Sequence, residues 1–242
     1  MKKIFHYLLI CALVQSCKSY HYYTPPPNPP TFANAGEVQF SGNFGTSGFL
    51  VKGGVALTDN LSISGMYNSA PGSTEGYFAK EYEAAAGWGF GKNPAARFSI
   101  HTGYGWGSNY DLDSGETVKD FRGNFTKPFL ILNFGTARTR KIGFVRLDAN
   151  MGFKFDYLMY RGSKSIYENS AYVDQTFNAD HFIIEPYVMA SIGGRYVRFE
   201  SGMSFVFKRI QEIGKGARVF PVMMHMGIGF IINRKYEKKE PQ

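Results

Sequence analysis

Residues 142–160 read IGFVRLDANMGFKFDYLMY. From Val145 onward, alternate residues fall into two classes. One set is Val145, Leu147, Ala149, Met151, Phe153, Phe155, Tyr157 and Met159. The other begins Arg146, Asp148, Asn150, Gly152, Lys154 and Asp156. Side chains of a strand alternate between faces, whereas a helix would mix these two classes around its circumference. The stretch therefore predicts a long strand with one apolar and one polar face.

The same period recurs along the chain. Tyr82, Ala84, Ala86, Trp88 and Phe90 alternate with Glu81, Glu83, Gly87 and Gly89. Phe98, Ile100, Tyr104 and Trp106 alternate with Ser99, His101, Gly103, Gly105 and Gly107. Leu130, Leu132 and Phe134 oppose Lys127, Asn133 and Gly135; Phe182, Ile184, Val188 and Ile192 oppose Glu185, Tyr187 and Ser191. Val197, Phe199, Met203, Phe205 and Phe207 alternate with Arg198, Glu200, Gly202 and Ser204, and Met224, Met226, Ile228, Phe230 and Ile232 with His225, Gly227 and Gly229. Three earlier strands fall near 37–44, 48–57 and 61–67. The expected fold is all-β: a closed antiparallel up-and-down transmembrane β-barrel of about ten strands (8–10).

The connections alternate in length. Thr58-Asp59-Asn60, Lys92-Asn93-Pro94, Arg138 to Lys141 and Gly193-Gly194 are tight, while 68–79, 109–124, 161–180 and 209–217 are long. Only the first connection, near Thr46, is short on the long side. Bacterial outer-membrane barrels have short periplasmic turns and longer outer loops, so both chain ends are expected on the periplasmic side.

Alternation alone does not say which face looks inward, and a soluble lipocalin-like barrel would show the same period with inverted polarity. The polar face is crowded with glycine, which suits a narrow lumen. It also carries Lys52, Glu81, Glu83, Lys127, Arg146, Asp148, Lys154, Asp156, Glu185, Arg198 and Glu200, five bases and six acids, as a desolvated interior of paired charges requires. Tyr67, Tyr82, Trp88, Trp106, Tyr157 and Tyr160 fall toward strand ends, where an interfacial girdle belongs. The membrane barrel is the better reading.

The N-terminus adds an export signal. Lys2 and Lys3 precede an apolar run from Ile4 to Val14, too short to span a bilayer as a helix. Val14-Gln15-Ser16-Cys17 resembles the lipobox of bacterial lipoproteins, although Gln15 is unusual there. The resemblance implies cleavage after residue 16, a diacylglycerol on the Cys17 thiol and an acyl chain on its amino group. Cys11 leaves with the signal, so no internal disulfide is possible. The organisation is then signal 1–16, a lipidated Pro-rich tether 17–35, the barrel 36–233 and a basic periplasmic tail 234–242. The run Pro25-Pro26-Pro27-Asn28-Pro29-Pro30 favours polyproline II and is expected to hold the barrel away from the lipid.

These features together resemble the lipid-anchored outer-membrane β-barrel proteins of Bacteroidota. Cys17, the Pro-rich spacer, Gly36-Glu37-Val38-Gln39-Phe40 and Leu57-Thr58-Asp59-Asn60-Leu61 carry the likeness. It implies location and architecture, not a reaction. Lys18-Ser19-Tyr20-His21 lacks the acidic signal that sends some such lipoproteins to the surface, which implies retention on the periplasmic leaflet.

The chain carries 27 Lys+Arg against 19 Asp+Glu, with Lys235, Lys238 and Lys239 in the tail and Arg138, Arg140 and Lys141 in one turn. For an exported protein, acidic headgroups explain this better than nucleic acid. Omptin-like barrel proteases use acidic pairs and a histidine at the outer rim, and Asp156, Asp174, Asp180 and His181 are the corresponding candidates. No pattern of that family matches residue by residue, and no catalytic residue is assigned. Glu81 and Glu83 read better as lumen ion-pair partners than as an acid–base pair. Asn109 to Glu116 lacks the glycine position and flanking helices of a calcium loop. His101 and His225 read as hydrogen-bonded lumen residues without metal, and no cofactor is expected. The expected role is structural or interactive, with outer-membrane lipid and other envelope proteins as the expected partners, the latter through loops 109–124 and 161–180 or the tether. A small pore, an omptin-like surface enzyme and a soluble lipid-binding barrel are the alternatives.

Overall fold

The computed structural model describes residues 24–27, 29–71, 77–90, 97–111, 118–135, 140–142, 145–168, 171–208 and 222–233. Cys17, the signal 1–16, the tail 234–242, the connection 209–217 and the Lys92-Asn93-Pro94 turn lie outside these residues. The strands are β1 (Val38–Gly45), β2 (Gly48–Ala56), β3 (Leu61–Pro71), β4 (Tyr77–Phe90), β5 (Arg97–Asp111), β6 (Val118–Gly135), β7 (Arg140–Ile142), β8 (Val145–Glu168), β9 (Ala171–Gly193), β10 (Val197–Phe205), β11 (Phe207–Lys208) and β12 (Val222–Ile232). Every pairing is antiparallel, and the β1–β12 and β8–β9 ladders close the sheet on itself. Ten strands form the wall. The three-residue β7 only flanks the start of β8, and the two-residue β11 prolongs β10.

Polarity is that of a membrane barrel. On β8 and β12 the outward Met151 and Ile228 are 58% and 52% exposed, whereas the inward Lys127, Lys154 and Arg198 are 0%, 1% and 2% exposed. An inverted, lipocalin-like arrangement would reverse those values. The outward aromatics form two rows. Tyr67, Tyr82 and Trp106 sit side by side across β3–β5 with centroids 5.1 and 5.8 Å apart. Phe90, Phe98 and Phe134 form the other row at 5.7 and 4.8 Å. Tyr82 and Phe90 are eight residues apart on β4. That is about 27 Å along a strand and about 20 Å of height at a ~40° tilt, close to the apolar band of such barrels.

Three expectations are corrected. The segments 68–79, 109–124 and 161–180 are mostly strand, because β3 runs to Pro71, β5 to Asp111 and β8 to Glu168 before turning back. A backbone ladder continues without apolar side chains, so the loss of alternation did not mark its end. Arg140 and Lys141 belong to β7 rather than to a tight turn. Tyr160 is not in the girdle: it points inward and is fully buried.

The wall is uneven in height. β1 and β2 have 8 and 9 residues and meet at the tight Thr46–Ser47 turn, while β8 and β9 have 24 and 23. At ~3.3 Å per residue the β8–β9 hairpin stands far above the β1–β2 side.

Candidate functional site

The lumen holds the chemistry, and glycine on intervening strands determines which charges meet. Lys127 on β6 bridges Glu81 and Glu83 on β4, at 2.6 Å to Glu83. The strand between them, β5, presents Gly105 and Gly107 at those levels. A Cβ on Gly105 would lie 2.8 Å from Lys127 Cε, and one on Gly107 would lie 2.5 Å from Phe125 Cζ. The glycines are the floor over which Lys127 and Phe125 lie. Lys154 joins Glu83 at 2.6 Å to Asp156 at 3.5 Å, and Glu185 is its register partner on β9. This chain of charge spans β4, β6, β8 and β9.

Two further pairs follow the same rule. Lys52 on β2 reaches Glu200 on β10 at 3.0 Å across Ser41 and Gly229. Arg198 on β10 pairs with Asp148 on β8 across Gly193 and Ser191 of β9. Arg146, the register partner of Gly193, lies beside this pair. Of the eleven charges expected in the lumen, Glu81, Lys127, Asp148, Lys154, Asp156, Glu185 and Arg198 are buried, and Lys52, Glu83, Arg146 and Glu200 are partly buried. Removing one partner of such a pair strands the other charge, typically at about 3–5 kcal/mol.

Two other fillings were not foreseen. Beyond the charges, toward the long hairpins, Phe121, Phe125, Leu158, Tyr160, Ile183, Val206 and Met223 form an apolar cluster inside the barrel. Phe121 stacks on Phe177 at 5.1 Å, Phe177 on Tyr160 at 5.6 Å and Tyr160 on Phe125 at 6.0 Å. The Tyr160 hydroxyl donates to Asn109 Oδ1. Leu158 and Tyr160 occupy the polar phase of β8, and that break in alternation was the available signal.

The second filling is the Pro-rich segment, which is not an external spacer. Residues 24–27 and 29–32 lie inside the barrel, with Thr24, Thr31 and Phe32 buried. At the short-turn end Thr31 Oγ1 accepts from Asn133 Nδ2 (3.2 Å) and donates to Asn150 Oδ1 (3.1 Å). Gln39 Nε2 donates to the Thr31 carbonyl at 2.8 Å, and the Tyr187 hydroxyl to Asn133 Oδ1 at 2.8 Å. The Arg97 guanidinium donates to the carbonyls of Phe32 and Asp59. Thr24, the first described residue of the segment, is 1% exposed. A run of prolines suits an interior because each lacks an N–H that would otherwise need a partner. A cavity of about 90 Å³ remains around the strap, bounded by Gln39, Lys52, Met66, Met189, Arg198 and Glu200.

The acid–imidazole candidates do not converge. Asp156 and His181 point inward, while Asp180 pairs with Arg161 on the outer face, as neighbours on a strand must oppose each other. Asp174 accepts from Ser165 on the β8–β9 hairpin. His101 hydrogen-bonds Ser99 at 3.0 Å. Among the described residues no group of three or more His, Cys, Asp or Glu is placed to hold a metal. Most of the 109–116 stretch lies outside them.

Neither family models nor curated proteins match this chain. Solved structures do. The outer membrane protease OmpT from Escherichia coli aligns with TM-score 0.56 at 11% identity, covering 85% of this chain and 99% of that one. The translocator domain of the autotransporter NalP from Neisseria meningitidis aligns with TM-score 0.43 at 10% identity, covering 80% of this chain and 86% of that one. At such identity the OmpT likeness speaks to architecture, and the chain has the fold of an outer-membrane β-barrel.

Proposed function

We propose that this protein is an outer-membrane barrel, exported as a lipoprotein through Cys17, with a structural or interaction role and no reaction of its own. The observation that carries the proposal is polarity: apolar side chains face outward on the wall strands while charged ones are buried inside. Such a surface is stable only in lipid. The short turns and the end of β12 then face the periplasm. The β8–β9 hairpin, with Tyr167 and Tyr172 exposed and 5.1 Å apart, offers a surface to other envelope proteins.

Replacing Cys17 by Ser tests the membrane reading. The variant is expected to stay with the membrane through salt and urea washes and to need detergent for release. Extraction into buffer would mean that acyl chains alone held the protein. The filled lumen argues against the pore alternative, and planar-bilayer recordings of the intact protein are expected to be silent. The omptin-like alternative rests on fold alone, because its candidate residues lie on opposite faces.

A further inference from the structure

We propose that the outer wall of β4, β5, β6 and β8, where it rises past the aromatic row, binds the phosphorylated sugar headgroup of an outer-leaflet lipid. This rests on the membrane reading and its orientation, and adds to them a site on one side of the barrel.

The outward face changes character above the aromatic row. On β4 the next outward residue beyond Tyr82 is Lys80, and on β8 Arg161 lies four residues beyond Tyr157; both are exposed. At a ~40° tilt, two and four residues are about 5 and 10 Å of height, the reach of the headgroup layer above the hydrocarbon. Lys80, Ser108, Asn124 and Arg161 are successive register partners on β4, β5, β6 and β8. Arg122, also exposed, is the next outward residue beyond Asn124 on β6. Three bases thus surround an exposed hydroxyl and an exposed amide, both able to donate hydrogen bonds.

The bases are held in place without being silenced. Lys80 Nζ lies 4.9 Å from the centre of the Phe78 ring, and the Arg122 guanidinium lies 5.0 Å from that of Tyr110. A ring orients a cation but leaves its charge for an anion. Arg161 donates from Nη1 to the Tyr160 carbonyl at 2.9 Å and to Asp180. Its Nη2 and Nε have the fork geometry that suits phosphate oxygens. Asp180 offsets one base, and Asp120 stands in the bulge beyond Arg122. Three bases against two acids leave the patch positive.

The patch occupies one sector of the wall. At the long-hairpin ends of β1, β2, β10 and β12 the last outward residues are Phe44, Phe49, Phe205 and Met224, all apolar. A belt that served only general attraction to headgroups would ring the barrel. Lys80 and Arg161 are three ladders apart, about 14 Å at ~4.8 Å per ladder, wider than a single phosphate. That width fits a sugar headgroup, with phosphate oxygens at the bases and hydroxyls over Ser108 and Asn124.

The test is native mass spectrometry of the full-length protein in neutral detergent, with diphosphoryl lipid A as the probe. The triple variant Lys80→Gln, Arg122→Gln, Arg161→Gln is expected to bind about tenfold more weakly than the parent. A charge-matched triple in the tail, Lys235→Gln, Lys238→Gln, Lys239→Gln, should bind as the parent does. Fully dephosphorylated lipid A should bind weakly and equally to all three proteins, and excess inorganic phosphate should not displace the lipid. Equal affinity of parent and patch variant overturns the proposal, as does an equal loss in the tail variant. Displacement by inorganic phosphate would mean a free-anion site and also overturns it. If the triple variant melts early in detergent, Arg122→Gln alone, which removes no described ion pair, takes its place, and an unchanged affinity again overturns the site. Extraction of Cys17→Ser into buffer would sink the membrane reading itself, whereas an unaffected patch variant of a protein that still needs detergent sinks only the headgroup site.

Discussion

The two ends of the lumen are filled by opposite chemistry. At the short-turn end, a segment with few donors is held by amide and hydroxyl groups: Thr31 by Asn133, Asn150 and Gln39. Toward the long hairpins, aromatic rings stack behind a chain of buried ion pairs. The first filling comes from a separate segment and the second from the wall itself. A cup lined by side chains thus stays closed at the long-hairpin end even without its strap, whereas its short-turn half depends on the strap.

The comparison can be broken by measurement. Deleting residues 24–32 alone is expected to leave bilayers silent, while combining the deletion with Phe125→Ala and Tyr160→Ala should give steady openings. Conductance from the deletion alone would show that the aromatic stack does not seal. Lys127→Met leaves Glu81 and Glu83 facing each other in a dry site, and should lower stability by about 3–5 kcal/mol in denaturant unfolding in detergent micelles. Adding Glu81→Gln should recover part of the loss. Gly107→Ala forces a methyl against the Lys80 carbonyl and the Phe125 ring, and about 1–3 kcal/mol is expected from overpacking. Thr31→Val removes the shared hydroxyl of the strap at about 1–2 kcal/mol, and should leave the melting of the wall nearly unchanged. A Thr31→Val effect as large as that of Lys127→Met would erase the distinction between the two ends.

Much of the wall was legible because burial on one side of a strand imposes period two. Arg146 to Asp156 needed nothing else, and the lumen charges could be read off the polar phase. Closure and height were not legible. Ala171 to Asp174 are exposed on both faces of their ladder, so no alternation marks them. Leu158 and Tyr160 sit in the phase of the charges, and only the neighbouring strands reveal that they meet Phe125 and Ile183. A proline-rich run reads the same inside a barrel as outside one, because the ring fixes φ in either setting. What separates the two is partners such as Asn133 and Asn150, more than a hundred residues away.

The strap runs on into β1, and β1 is paired along its whole length with β12, the last described strand. The segment that fills the short-turn end of the lumen is thus continuous with one side of the closing seam. A pull on the strap is delivered straight to the β1–β12 ladder, so plug and closure behave as a single mechanical unit.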